Sequence, residues 1–183
     1  MPGSGTGTPV TGVTVAYEAQ PYLTACWRFN GATYDNNTIE AKSPVGTAFD
    51  FIADSSDYYY LGHESRFDIA VFDISGGGSY TGLTWQYWNG SSWTQCVPRV
   101  VYDFTRDGGE QFENLVNWTS RAFSNSNPHS ATVPDTSSRY WLRASATAVT
   151  STASINQILC SPYCRYTTPT KVAALLQVSD FTS

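Results

Sequence analysis

The chain has 183 residues, of which 15% are aromatic and only 14% are charged, and its net charge at pH 7 is −5. This length allows one domain with a full hydrophobic core. No cluster of basic residues could follow a phosphate backbone, so nucleic acid is not an expected partner. No stretch has the run of about eighteen apolar residues that spans a bilayer, so no membrane partner is expected either.

Residues 1–44 are predicted to form an extended arm followed by one or two strands. Residues 1–20 are rich in Gly, Thr and Pro and lack the basic start and apolar stretch of a secretory signal. Such an arm is either disordered or lies along a neighbouring subunit in an assembly. The apolar pair Cys26-Trp27 and the turn-forming pair Asn30-Gly31 then indicate where strands begin and reverse.

Residues 45–160 are predicted to form an antiparallel β-sandwich. Short apolar or alternating runs are separated by Ser, Asp, Asn and Gly, which is an all-β profile. About eight such strands at this spacing favour a jelly-roll-like layout. The predicted strands are 48–53, 57–62, 67–74, two within 83–95, 97–104, 112–118, 140–148 and 153–159, with a polar loop at 106–110.

The clearest element is a hairpin at 83–95, LTWQYWNGSSWTQ. Its side chains alternate with a period of two up to Trp88, which places them on two faces of a strand. Asn89-Gly90 is the pair that a two-residue type I′ turn prefers, so the chain is expected to reverse there. Trp93 then returns on the partner strand close to Trp88 or Tyr87.

The tryptophans are the candidate binding residues. Large aromatic rings either fill cores and subunit contacts or form exposed platforms for sugar rings, and burial or an interface is the favoured interpretation. Trp88 and Trp141 are the best candidates for exposure, because each lies on the opposite strand face from its apolar neighbours. Together with Trp93 they are the predicted contacts for a glycan or a partner.

No catalytic constellation is predicted. A Gly-x-Ser-x-Gly elbow is absent, and the two histidines, His63 and His129, are expected to be solvated in a turn and a loop. Asp103, Asp107 and Glu110 could bind calcium, but they lack the alternate spacing of an EF-hand loop, so surface solvation is favoured. The chain is therefore expected not to be an enzyme and to need no metal or cofactor.

The four cysteines are Cys26, Cys96, Cys160 and Cys164. Free thiols are the first expectation for synthesis in a reducing cytosol. A Cys160–Cys164 disulfide formed after release from the cell is an alternative. A four-cysteine zinc site is less favoured, because the CSPYC spacing is wider than that of most zinc knuckles.

Residues 161–183 are predicted to form a linker and a short helix. Thr168 is a suitable N-cap, and Val172, Leu175 and Leu176 form one apolar stripe. A helix this short is not stable alone in water, so the stripe is expected to dock. These three residues are the predicted assembly contacts.

Several of these motifs occur in an ordered series. It runs YYYLGHESRFDIAVFDI, LTWQYWNGSSWTQ, DFT, FENLVNW and RYWLRASAT, over about residues 48–159. This series resembles a β-sandwich domain that recurs in structural proteins of tailed bacteriophages and archaeal tailed viruses. The ending YTTPTKVAALLQVSDFTS resembles the opening of head–tail connector proteins.

The resemblance implies a non-enzymatic structural component of a tailed virus particle, located in the virion. It would attach to or join other virion proteins, as a capsid decoration, a head–tail neck component or a tail component. A homo-oligomer within the particle is expected. The residues themselves leave open an alternative, a carbohydrate-binding β-sandwich module that uses surface tryptophans.

Overall fold

The computed structural model describes residues 22–99, 101–113, 115–121 and 135–162. Within these ranges the chain forms twelve strands and one short helix. The elements are β1 (Ala25–Phe29), β2 (Tyr34–Asn36), α1 (Thr38–Lys42), β3 (Phe49–Asp50), β4 (Tyr58–His63), β5 (Phe67–Gly76), β6 (Ser79–Thr81), β7 (Thr84–Trp88), β8 (Trp93–Pro98), β9 (Gly108–Glu113), β10 (Tyr140–Ser145), β11 (Ala148–Ser151) and β12 (Ser154–Pro162). In this part of the chain no helix is long and apolar enough to cross a membrane.

The fold is all-β, as predicted. Ten strands pair in the order β2-β1-β4-β10-β7-β8-β9-β5-β12-β3, and β11 pairs with β6 in a small second sheet. Every pairing between these strands is antiparallel. Central β8 joins the two flanks, because it pairs with β7 on one side and with β9 on the other.

The large sheet curls so that its two flanks face each other. Phe72 of β5 and Trp85 of β7 belong to different flanks, yet their ring centroids are 6.2 Å apart. Phe51 lies between the flanks, with its ring centroid 4.8 Å from that of Tyr59 and 4.6 Å from that of Phe104. The core is therefore an aromatic cluster enclosed by the curled sheet.

The hairpin at 83–95 is confirmed, but its turn differs from the prediction. Trp88 pairs with Trp93, so four residues, 89–92, form the connection instead of two. The side-chain oxygen of Asn89 accepts hydrogen bonds from two backbone N–H groups of the loop, at 3.0 and 2.9 Å. Gly90 has the positive φ, +105°, and Asn89 does not. An asparagine side chain thus closes the loop in place of a backbone turn.

The prediction for residues 97–113 was wrong in part. The predicted strand 97–104 is β-structure only at its start, and the predicted polar loop 106–110 runs into β9. β9 pairs with β5, and Ala70 is opposite Glu110. Hydropathy missed this strand because a carboxylate occupies one of its core-facing positions. The structure also contains two short strands that the sequence did not predict as separate elements, β6 of three residues and β11 of four.

Two predictions fall on residues that the structure does not describe. They are the arm at 1–20 and the C-terminal helix with its stripe, Val172, Leu175 and Leu176. The first strands within 1–44 are described, and β1 pairs with β4 inside the large sheet.

Candidate functional site: an aromatic face on the outer side of the sheet

A second aromatic cluster lies on the side of the sheet that faces away from the core. In β4, Tyr59 and Leu61 point into the core, whereas Tyr58 and Tyr60 point outward. The same alternation in β1, β2, β7, β8 and β10 places further rings beside them. We call this set the outer aromatic face; its members are Ala25, Trp27, Phe29, Tyr34, Tyr58, Tyr60, Trp88, Trp93 and Trp141, together with Arg143.

Trp141 of β10 occupies the middle of this face. It is opposite Gly62 of β4, and a Cβ atom on Gly62 would lie 2.6 Å from the Trp141 ring. Only glycine therefore allows the indole to lie so close to the neighbouring strand. The indole Nε1 of Trp141 donates a hydrogen bond of 2.9 Å to the carbonyl oxygen of Arg121.

Arg143 provides a cation among the outer rings. Its guanidinium carbon lies 4.5 Å from the ring centroid of Trp93 and 4.7 Å from that of Tyr58, so two rings hold it by cation–π contacts. Its Nε donates a 2.7 Å hydrogen bond to the side-chain oxygen of Gln86. Burial lowers the pKa of Arg143, and Tyr60 opposes that change. A guanidinium nevertheless stays protonated at neutral pH.

The exposure predicted for Trp88 and Trp141 is wrong. Both rings lie on the outer side, as the alternation predicts, but their exposed fractions are only 4% and 0%. The guanidinium of Arg121 lies 4.5 Å from the ring centroid of Trp88, and its carbonyl oxygen binds Trp141. Thr119 also donates its backbone N–H to the Trp88 carbonyl oxygen at 3.1 Å. Arg121 therefore lies over the Trp88 ring and binds the indole of Trp141.

Trp93, the third predicted contact residue, is half-buried. Its ring centroid is 5.6 Å from that of Trp88 and 5.8 Å from that of Tyr60. Trp27, Tyr34 and Tyr58 are also half-buried on this face. The partly accessible part of the face therefore consists of four rings, two of which, Tyr58 and Trp93, contact Arg143.

Sequence reasoning did not select Trp27, Tyr58 or Arg143. In the sequence YWLR, Trp141 and Arg143 are two residues apart, so the alternation of a strand places them on the same face. This pattern could have identified Arg143 as a residue of the site. The positions of Trp27 and Tyr58 depend on how β1 pairs with β4, and the sequence does not specify that register.

His63 is buried, with an exposed fraction of 6%, and the prediction of a solvated turn residue is wrong. Its Nδ1 accepts a 2.9 Å hydrogen bond from the Ser65 backbone N–H, and its ring packs against Phe67. His129 lies outside the described residues. In the described ranges no group of three or more His, Cys, Asp or Glu side chains is arranged to hold a metal ion.

The three acidic residues proposed to be solvated behave differently. Asp103 and Asp107 are exposed, but Glu110 is buried on the core side of β9 with an exposed fraction of 1%. One Glu110 oxygen accepts the backbone N–H of Tyr102 at 3.0 Å, and the other has no hydrogen-bond donor among the described residues. Burial raises the pKa of Glu110 from 4.5 to about 7.

Three of the four cysteines are described, and all three are buried free thiols, as expected: Cys26, Cys96 and Cys160. Burial raises the pKa of each to about 12, which keeps them protonated and poorly reactive. Cys164 lies outside the described residues.

Comparison of the chain with protein-family models, curated proteins and solved structures gave no significant match. The chemistry of the outer aromatic face therefore has to be judged from its own residues. They provide aromatic surface, tyrosine hydroxyl groups and one cation, which suit recognition by contact.

Proposed function

We propose that this chain is a non-enzymatic structural component of a tailed virus particle that attaches to or joins other virion proteins. Capsid decoration, a head–tail neck position and a tail position all fit this role. Its location would be the virion, where it would act as a homo-oligomer.

The observation that carries the proposal is where the motifs of the resemblance lie in the fold. YYYLGH forms β4, YWLR lies in β10, and the WQYW and WTQ parts of the hairpin lie in β7 and β8. These four strands are consecutive in the sheet. These parts of the resemblance therefore lie side by side in the sheet, and they build most of the outer aromatic face.

The finer fold assignment belongs to the same proposal. We infer a jelly-roll-like sandwich in which β2-β1-β4-β10-β7-β8 form one layer and β9-β5-β12-β3 the other. The ring contacts between β5 and β7 support two facing layers. A short helix near the C-terminus would complete the chain.

The composition of the outer aromatic face supports a protein partner. Trp, Tyr and Arg are the residue types most enriched where binding energy concentrates in protein interfaces. Half-buried rings around Arg143 offer such a surface. The sugar-binding alternative has less support than the sequence suggested, because Trp88 and Trp141 are covered.

The first test is the position of the chain in intact particles. Tailed particles from the source should contain the protein when analysed by mass spectrometry, and density mapping of those particles should show its sandwich at a defined symmetric position. Absence of the chain from purified particles would overturn the proposal.

The second test concerns the predicted assembly contacts. A triple variant with Val172, Leu175 and Leu176 each changed to Ser should fold normally but be lost from particles, because the apolar stripe has no other role in the proposal. The matched control changes Lys171, Ala174 and Gln177 to Ser, on the other side of the predicted helix. Equal incorporation of both triple variants into particles would show that the apolar stripe is not an assembly contact.

The sugar-binding alternative is tested on a glycan array. Its remaining support is the half-buried ring of Trp93 beside Arg143. A reproducible glycan signal that disappears in Trp93→Ala but persists in Gln95→Ala, an exposed neighbour on the same strand, would favour the binding module. Under the virion proposal the array stays blank.

A further inference from the structure

A cleft of about 410 Å³ lies between β6, the start of β7 and the segment 101–105. This volume is at the lower end of the range for small-molecule sites, about 300–1,000 Å³, and it suits one side chain or one sugar ring. The side chains that line it are those of Ser79, Tyr80, Leu83, Val101, Tyr102, Asp103 and Thr105.

Two tyrosines form aromatic walls of the cleft. Tyr80 and Tyr102 both pack on Phe104, with ring centroids 5.7 Å and 4.4 Å from it. The hydroxyl of Tyr80 accepts the backbone N–H of Ala153 at 2.7 Å, and that of Tyr102 donates to the carbonyl oxygen of Arg106. Since both hydroxyls already have protein partners, these residues offer a ligand mainly their rings.

The electrostatic environment of the cleft is negative. Asp103 is exposed at the cleft, and its Oδ1 accepts hydrogen bonds from the Thr105 backbone N–H and hydroxyl at 3.1 and 2.9 Å. These bonds lower the pKa of Asp103, so it is ionised at neutral pH. Burial, and then the charges of Asp107 and Asp103, raise the pKa of Tyr102 to about 12; Arg106 opposes this only in part.

We propose that this cleft binds an arginine or lysine side chain presented by a partner protein. Tyrosine rings attract a cation through their faces, and the Asp103 carboxylate supplies a charged hydrogen-bond acceptor beside them. None of the described residues that line the cleft has a basic side chain. The alkyl part of a basic side chain would contact Leu83 and Val101, and Val101 is 80% exposed and available at the surface.

A neutral sugar ring would use the same aromatic walls but would gain less from a fixed negative charge. A basic side chain uses the rings, the carboxylate and the apolar residues together. The overall charge of −5 also favours approach of a basic partner surface.

The test is a titration of the full ¹⁵N-labelled chain followed by NMR. The probe is Nα-acetyl-arginine N-methylamide, and its neutral counterpart is Nα-acetyl-citrulline N-methylamide. The arginine probe should shift the amide signals of Ser79, Tyr102 and Asp103 in a saturable way at millimolar concentration. The citrulline probe should bind ~5-fold more weakly, because it lacks the positive charge that the Asp103 carboxylate and the tyrosine rings attract.

A matched pair of variants tests the carboxylate. Asp103→Asn keeps the acceptor for the Thr105 N–H but removes the charge, so affinity for the arginine probe should fall about 5-fold while that for citrulline is unchanged. Asp54→Asn is the control, since Asp54 is exposed and caps its own turn in the same way but does not line the cleft. It should leave both affinities unchanged.

Three results would overturn the assignment. One is the absence of any saturable shift at the cleft, and another is equal binding of the arginine and citrulline probes. The third is a shift of the cleft signals by maltose or N-acetylglucosamine and not by the arginine probe, which would assign the cleft to a glycan. The cleft shares no lining residue with the outer aromatic face, so these outcomes do not depend on whether the chain is found in particles.

Discussion

Two hairpins of this molecule, β1–β2 and β7–β8, are closed by the same kind of four-residue loop. In each loop an asparagine donates its backbone N–H to the fourth residue, from Asn30 to Thr33 at 3.0 Å and from Asn89 to Ser92 at 3.1 Å. Each asparagine side-chain oxygen also accepts two backbone N–H groups of its loop. The glycine that follows has a positive φ, +86° in the first loop and +105° in the second.

The surroundings of the two hairpins differ. β2 is a three-residue strand at the edge of the large sheet, whereas β8 has six residues and lies between β7 and β9. The rings next to the loops also pair in both, Phe29 with Tyr34 at 5.0 Å and Trp88 with Trp93 at 5.6 Å. The local sequence thus produces the same loop twice, while the neighbouring strands decide how much of the fold depends on it.

The largest expected effect contrasts the two hairpins through one tryptophan in each. Trp85 of β7 is 1% exposed and its ring lies 5.0 Å from that of Phe112, so Trp85→Ala should cost about 3–5 kcal/mol. Trp27 of β1 is half-buried on the outer face, so Trp27→Ala should cost only about 1–2 kcal/mol. Urea unfolding of both variants measures the difference, and equal losses would mean that the edge hairpin is as important to the core as the central one.

The second effect concerns pH and the strand that follows the central hairpin. Burial raises the pKa of Glu110 to about 7, so the folded state holds its proton more tightly than the unfolded state does. The resulting stabilisation is complete below about pH 4.5 and is lost as the pH rises through about 7. The free energy of unfolding should fall by up to about 3 kcal/mol over this range. Glu110→Gln should therefore remove that fall from the free energy of unfolding measured between pH 4 and pH 8.

The control for Glu110 is Glu113→Gln on the same strand. Glu113 is exposed and pairs with Arg99 at 3.6 Å, so this variant should keep the pH profile of the unmodified chain. The edge hairpin offers a contrast, because its nearby buried carboxylate, Asp57, is paired with Arg28 at 3.2 Å. A Glu110→Gln profile that matches that of the unmodified chain would show that Glu110 does not titrate in this range.

A smaller effect is expected at the two loop glycines. Val at either position would be forced into the left-handed region, so Gly31→Val and Gly90→Val should each cost at least about 1–2 kcal/mol. Gly31→Val also brings its Cβ within 2.7 Å of Ser56 Oγ, whereas the nearest atom at Gly90 is Thr119 Oγ1 at 3.3 Å.

Thermal unfolding measures the glycine effect, and Ser91→Val provides the control. Ser91 is exposed and has no positive φ, so this variant should melt like the unmodified chain. Gly90→Val and Ser91→Val with the same melting temperature would contradict the role given to the positive φ.

The smallest effect is expected from the loop asparagines. Asn30→Ala and Asn89→Ala each remove the side-chain oxygen that closes the loop, at a cost of about 1 kcal/mol. Asp at either position keeps that oxygen but loses the amide donor, which binds Thr33 Oγ1 at 3.0 Å in one loop and Thr94 Oγ1 at 2.8 Å in the other. Asp variants should therefore lie between Ala and the unmodified chain in urea unfolding, and Asp variants no better than Ala would assign the main effect to the amide donor.

The sequence predicted several strands well because their alternation is local. The runs at 57–62 and 67–74 correspond closely to β4 and β5, and the hairpin is where its Asn-Gly pair indicates. The run at 140–148 begins as β10, but that strand ends at Ser145 and Ala148 already belongs to β11. The sequence therefore predicted these strands better at their starts than at their ends. It did not predict the loop length, because an Asn-Gly pair fits a two-residue turn and a four-residue loop equally well. The choice depends on the asparagine side-chain hydrogen bonds, which only the folded loop reveals.

The candidate site was predictable only in part. The alternation of side chains along a strand placed Trp88 and Trp141 on the outer side. It could not show that Arg121 lies over one ring and binds the other. Glu110 illustrates the opposite error, because a charged residue that follows two glycines is typical of a solvated loop. Its burial results from pairing with β5, about forty residues away along the chain.

By itself, the sequence determined the all-β class, the hairpin at 83–95 and the opposite faces of neighbouring aromatic residues. These properties depend on side-chain alternation and on turn residues within a few positions of each other. Only the tertiary structure decided which strands are neighbours, and thus that Tyr58, Trp93 and Arg143 meet, that Trp141 lies over Gly62 and that Glu110 is buried. Strand pairing joins residues far apart in the chain, and a local pattern carries no information about that register.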